Sequence, residues 1–141
     1  MYIPKNFALH ELLPRHMYER CKNNEALGWR LFDDRLLVSL DQVKAVFPLG
    51  AAIANNYAWG GNREWSGLRT PGSPYYSDTS QHSYGRAADL VFNRYDAREV
   101  RKFIIANPDK FPFVKGVEDF KNMSWVHIDT RNADSMQIFR G

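Results

Sequence analysis

Apolar residues recur along this chain with two periods, and the change from one to the other divides it into elements. From Leu36 onward, Leu36, Leu37, Leu40, Val43, Val46 and Phe47 repeat at helical spacing; Asp33-Asp34 supplies a start signal and Pro48 a stop. A second helix is predicted after Asp96, carrying Ala97, Val100, Phe103, Ile104 and Ile105 and ending near Asn107-Pro108. Residues 15–32 form a broken helical pattern (Met17, Tyr18, Cys21, Leu27, Trp29, Leu31, Phe32), interrupted at Asn23-Asn24 and Gly28. Phe7–Leu13 reads as a short helical turn stopped by Pro14. Between Ser124 and Asp129 the period falls to two, so Trp125, His127 and Asp129 share one face of a strand and Val126 and Ile128 the other. With residues 114–120 and the turn Lys121-Asn122-Met123, this predicts a β-hairpin. Leu90-Val91-Phe92 and residues 49–56 read as buried strands, and residues 135–139 as a last edge strand or a flap. The expected architecture is α+β, helices packed on a mainly antiparallel sheet.

Between the strand at 49–56 and Ser80 lies a long tract rich in Gly, Pro, Asn and Ser, which reads as loop. A loop of that length inside a small domain is uncommon and usually functional. Its aromatics, Trp59, Trp65, Tyr75 and Tyr76, either line a groove for sugar or peptide or anchor the loop to the body of the protein.

Composition narrows the class. A chain of 141 residues, 44% hydrophobic and 25% charged, fits one globular domain with a real core. No apolar run approaches the roughly 20 residues of a membrane span, and Met1–Asn6 has no apolar stretch of the signal-peptide kind. A single cysteine, Cys21, excludes an internal disulfide. The net charge of +3 suits attraction to an anionic polymer or an ordinary solvated surface, and no nucleic-acid motif or basic run is present. The protein is expected to act as a monomer, with no nucleic-acid partner.

The chemistry gathers in two places. Ser80–Asp89 reads Ser-Gln-His-Ser-Tyr-Gly-Arg-Ala-Ala-Asp, with His82, Asp89 and a glycine between them that permits a sharp bend. Downstream, His127 sits in the alternating strand, flanked on its face by an aromatic and an acid. Together His82, Asp89 and His127 offer three ligands with room for water, as an open catalytic zinc site requires. His10 and His16 have no partner at ligand spacing and read as surface or packing residues.

Ser80, His82, Gly85, Ala87 and Asp89, followed by Trp125-Val126-His127-Ile128-Asp129, resemble the zinc D-alanyl-D-alanine carboxypeptidase family, which includes the L-alanyl-D-glutamate endopeptidases of phage lysis and shares the hedgehog fold. The resemblance covers roughly Phe7 to Asp129. It implies one Zn²⁺ per chain on His82, Asp89 and His127, a peptidoglycan stem-peptide substrate, and Arg69 and Ser80 on the substrate side. Ser66-Gly67-Leu68-Arg69 is similar to the family's Ser-Gly-Tyr-Arg, whose arginine holds a substrate carboxylate; the alternative for Arg69 is pairing with an acid. Several relatives carry an acid three residues before the last histidine, where this chain has Ser124. Two acids are candidates for the general base: Glu118, on the neighbouring strand, and Asp129, which could instead orient a ligand ring. A phage-type lysin, made in the cytoplasm and acting on the wall at lysis or from the virion, is the expected setting. The alternative is a zinc-containing wall-binding or virion structural module without catalysis.

Overall fold

A computed structural model describes residues 1–50 and 52–141. Four helices, α1 (Arg15–Cys21), α2 (Glu25–Trp29), α3 (Asp34–Val46) and α4 (Ala97–Ala106), accompany five strands, β1 (Ala52–Ile53), β2 (Ala87–Phe92), β3 (Gly116–Glu118), β4 (Val126–Asp129) and β5 (Gln137–Phe139). The fold is α+β. Both long helices begin where an aspartate caps them: Asp33 accepts from the Arg35 amide at 2.9 Å and Asp96 from the Arg98 amide at 2.8 Å. The stripe predicted for α3 is the core stripe, since Leu36, Leu37, Leu40 and Val43 are fully buried. They join Val100 and Ile104 of α4, Leu90, Val117, Val126 and Ile128 of the sheet, and Leu9, Leu12 and Leu13 from the N-terminal segment. No helix among the described residues is long and apolar enough to cross a membrane.

The strand order is β1-β2-β4-β3-β5. Three pairings are antiparallel, but β5 runs parallel to β3, so the sheet is mixed rather than mainly antiparallel. The reason lies in β4, which already has β2 on one edge and β3 on the other. The chain leaving β4 reverses direction and finds its free edge on the outside of β3, where it necessarily runs the same way as β3. The tail is thus an edge strand.

Three predicted strands are shorter than their hydrophobic patterns. The expected strand 49–56 narrows to β1, with Leu49 exposed and Ala51 outside the described residues. It ends because Asn55 turns to the N-terminal segment, its amide donating to the Glu11 carbonyl and its side chain to the Leu13 carbonyl. The predicted hairpin exists as the β3–β4 pair, but residues 119–125 form a wider connection than a tight turn. Arg101 of α4 is buried there and donates to the Trp125 carbonyl at 2.7 Å, holding the chain just before β4 begins.

Candidate metal centre

Strand pairing builds the centre. Asp89 of β2 lies directly opposite His127 of β4, so a carboxylate and an imidazole meet across one rung of the sheet. His82 reaches the same point from a 3-10 turn, Gln81–Tyr84, that folds back over the start of β2. Ser80 caps that turn by accepting from the His82 amide. Gly85 ends it at φ +66, where a Cβ would sit 2.0 Å from the Leu31 carbonyl oxygen; only glycine fits.

One nitrogen or oxygen from each of His82, Asp89 and His127 lies within 4.8 Å of the others, an arrangement able to hold a metal ion. Asp89 Oδ1 is 3.3 Å from His82 Nε2 and 2.8 Å from His127 Nδ1. Each ring's other nitrogen is committed behind it. His82 Nδ1 donates to the Gly67 carbonyl at 2.8 Å, and His127 Nε2 donates to Asp129 Oδ2 at 2.9 Å. The nitrogens turned to the shared centre are therefore His82 Nε2 and His127 Nδ1, and the contacts behind them are the outer support that metal-ligating histidines ordinarily have. Both rings are buried, at 3% and 4% exposure, and so held in orientation.

The local electrostatics favour a cation. Burial alone would raise the Asp89 carboxyl, but hydrogen bonds and charge from His127 and His82 hold it well below the usual carboxylate range. Burial would lower the His127 imidazole, yet the hydrogen bonds to Asp129 and Asp89 outweigh it and raise it to about 9. Positive charge is thus stabilised where the three side chains converge, and a divalent ion would replace the proton.

The remaining predicted residues fall around this core in distinct ways. Asp129 is fully buried and spends its carboxylate on His127 and on Arg131, whose Nε donates to Oδ1 at 2.7 Å. Gly116 makes space for it, because a Cβ there would lie 2.3 Å from Asp129 Oδ1. Arg131 in turn stacks on the Phe139 ring of β5, 4.1 Å from its centroid. Glu118 is 31% exposed and places Oε1 3.6 Å from His127 Nδ1, on the ligand side of the ring. Asp119 turns the other way, toward Arg101 and Arg140. Arg69 donates through Nε to the Trp65 carbonyl at 2.8 Å and through a terminal nitrogen to Asp89 Oδ2 at 3.1 Å, so the acid pairing is the contact it makes. His10 packs edge-on against Tyr18, Tyr57 and Trp59, and His16 lies against Trp65, both remote from the centre.

The three ligands open into a cavity of about 330 Å³ lined also by Ser80, Glu118, Trp125 and Arg131. A second cavity of about 570 Å³ adjoins it, sharing Arg69, Asp89 and Trp125 and walled by Trp65 and Tyr75. The aromatics of the long loop thus line a groove in part: Trp65 and Tyr75 do, while Trp59 packs on His10. Sequence reasoning missed Arg131 and the Gly67 carbonyl. Arg131 follows Asp129 by two positions in extended chain, and that spacing was a usable signal for a shared face. A backbone carbonyl leaves no such mark. Comparison of the chain with protein-family models, with curated proteins and with solved structures returned no match.

Proposed function

We propose that the protein is a zinc peptidase of the D-alanyl-D-alanine carboxypeptidase and L-alanyl-D-glutamate endopeptidase type, with the hedgehog-like fold of that family. Its substrate on this reading is the stem peptide of peptidoglycan. The observation that carries the proposal is the convergence of His82 Nε2, Asp89 Oδ1 and His127 Nδ1, each ring fixed from behind, with the Glu118 carboxylate alongside. Two imidazoles and one carboxylate are a borderline donor set that suits zinc, and three protein ligands leave a position open.

Zinc bound there would supply Lewis-acid polarisation of the scissile carbonyl and acidify water. The chain's own residues do the rest. Glu118, partly exposed and beside His127 Nδ1, takes on this reading a proton from the attacking water and passes it to the leaving amine. It fills the role left open by Ser124, which lines the neighbouring cavity. Asp129 is buried on the far side of the His127 ring and holds it in register, with Arg131 neutralising the carboxylate. Arg69 occupies Asp89 Oδ2, which leaves Oδ1, beside both imidazoles, as the oxygen that would hold the metal. Ser80 sets the turn that carries His82.

The test is to measure metal per chain and then incubate the protein with defined muropeptides, reading products by mass spectrometry. Loss of a terminal alanine marks a carboxypeptidase, and release between L-Ala and D-Glu an endopeptidase; chelator should abolish either. One zinc per chain with no cleavage of any muropeptide would sink the peptidase reading in favour of a binding module.

A further inference from the structure

Three aromatic rings stand around the larger cavity beside the centre, and none of them belongs to the core. Trp65, Tyr75 and Trp125 line it, with Asn62, Glu64 and Ser66 supplying amide, carboxylate and hydroxyl groups among them. Tyr75 is 65% exposed and Trp125 38%, although rings of this size are ordinarily well buried. Each segment is nevertheless held. The Trp65 carbonyl accepts from Arg69 Nε at 2.8 Å, the Trp125 carbonyl accepts from Arg101 at 2.7 Å, and the Tyr75 amide donates to the Ser73 hydroxyl at 3.0 Å. The Arg69 guanidinium also lies 5.6 Å from the Tyr75 ring centroid and steadies that ring. Fixed backbone with open ring faces makes a platform on which a ligand stacks without first ordering the loop. An extended peptide would bind by adding to a free strand edge. The strand that borders the cavity is β2, through Asp89 and Val91, and both its edges are taken. β4 lies on one side; β1 and the Ser66 carbonyl, which accepts from the Asp89 amide at 2.8 Å, lie on the other. What the cavity offers instead is ring faces with polar groups at their margins. That suits a pyranose, whose C–H bonds pack on the negative face of an aromatic ring while its hydroxyl and acetamido groups find hydrogen-bond partners around it. The volume of about 570 Å³ is within the range of small-ligand sites.

We propose that this cavity is a sugar-binding subsite, in which Tyr75 and Trp125 stack on an acetamido-pyranose ring of the glycan strand. The proposal rests on the peptidase reading of the adjoining metal centre and deepens it: the substrate is a stem peptide still attached to its glycan. It also places the cut. The cavity shares Arg69, Asp89 and Trp125 with the metal cavity, so a ring seated there lies close to the scissile amide. An extended chain covers roughly 3.5 Å per residue, which puts a terminal D-Ala-D-Ala amide more than about 10 Å beyond the sugar. The amide within reach is the one between L-Ala and D-Glu.

Two probes test this. One is the disaccharide N-acetylglucosaminyl-N-acetylmuramic acid carrying L-Ala-γ-D-Glu-L-Lys-D-Ala-D-Ala; the other is the same pentapeptide, N-acetylated and without sugar. Each is mixed with the zinc-loaded protein in a stopped-flow instrument, where tryptophan quenching reports binding before turnover, and mass spectrometry then reports the bond cut. The sugar-bearing probe should bind about tenfold or more tighter, the size of one or two aromatic stacking contacts. Tyr75→Ala, at an exposed position outside the core, should reduce that preference to within about threefold while the free peptide binds as before and zinc affinity is unchanged. Tyr75→Phe should keep the preference, since the ring does the stacking. Trp59→Ala removes an exposed tryptophan that packs on His10 and should leave the preference intact. Equal binding of the two probes to the unaltered protein overturns the proposal, as does a preference that survives Tyr75→Ala or falls equally in Trp59→Ala. Loss of zinc affinity in Tyr75→Ala also overturns it, because the effect then runs through Arg69 and Asp89. Cleavage of the terminal alanine alone overturns it too, since the sugar would then lie too far from the metal. A Tyr75-dependent preference without cleavage of either probe leaves the sugar subsite standing and refutes the peptidase reading alone.

Discussion

Gly116→Ala is a perturbation of one methyl group placed directly against Asp129, the carboxylate that supports His127 from behind. A Cβ at this position would lie 2.3, 2.4 and 2.5 Å from the three carboxylate atoms of Asp129. Ordinary contact begins near 3.4 Å, so the carboxylate must withdraw by about 1 Å. A shift of about that size is enough to disrupt its hydrogen bond to His127 Nε2, now 2.9 Å. The His127 ring then loses the acceptor that fixes its tautomer. Removal of such outer support ordinarily costs roughly 10- to 100-fold in metal affinity. Zinc affinity measured by competition with a calibrated chelator should fall by that factor. Thermal melting of the chelated protein separates this effect from general unfolding, and Gly72→Ala is the matched control because no heavy atom lies within 4 Å of its Cβ position. Should Gly116→Ala bind zinc within twofold of the unaltered protein, the role given to Asp129 in holding His127 is wrong.

Other expectations follow from the same geometry. Glu118→Gln should keep one zinc per chain yet lower kcat by about 10²- to 10⁴-fold, since the amide cannot accept the proton; unchanged turnover would remove Glu118 as the base. Arg69→Ala frees Asp89 Oδ2 and should weaken zinc binding by roughly tenfold or more, with Arg69→Lys recovering part of it. An effect of Arg69→Ala on KM alone, with zinc affinity intact, would instead return Arg69 to substrate binding. Leu40→Ala, in the fully buried stripe of α3, should cost about 2–5 kcal/mol in denaturant unfolding, and a smaller loss would mean the core relaxes around it.

The parts of this molecule legible in its sequence are those set by local pattern. The stripe Leu36–Val43 and the two aspartate caps fixed both long helices, because helix periodicity and capping act within a few residues. His82, Asp89 and His127 were legible as a trio for a different reason: their donor chemistry and the resemblance of the two motifs that carry them, while the strand pairing that sets Asp89 opposite His127, and the turn that carries His82 to them, left no mark in the sequence. What the pattern could not carry is competition between distant partners. Asn55 leaves the sheet for the Leu13 carbonyl, and Arg101 takes the Trp125 carbonyl, so both neighbouring strands are shorter than their apolar runs. The parallel β5 follows from occupied edges, which no single segment records. Glu118 and Asp129 could not be told apart from strand alternation, since the distinction lies in what each carboxylate already touches.

The stacking of Arg131 on Phe139 ties the last strand to the centre by a short mechanical chain: ring to guanidinium, guanidinium to Asp129, Asp129 to His127. Free-energy coupling of this kind is reciprocal. Whatever loosens β5 from the edge of β3 also slackens the imidazole that completes the triad, and whatever fills the triad tightens β5 in return. The C-terminal strand thus shares its anchorage with the centre, and removing the Phe139 ring is expected to loosen His127 as well as the sheet edge. The outer edge of β5 is the margin of the sheet, so a neighbour that pairs with that edge would add to the strand from which this chain of contacts to His127 begins.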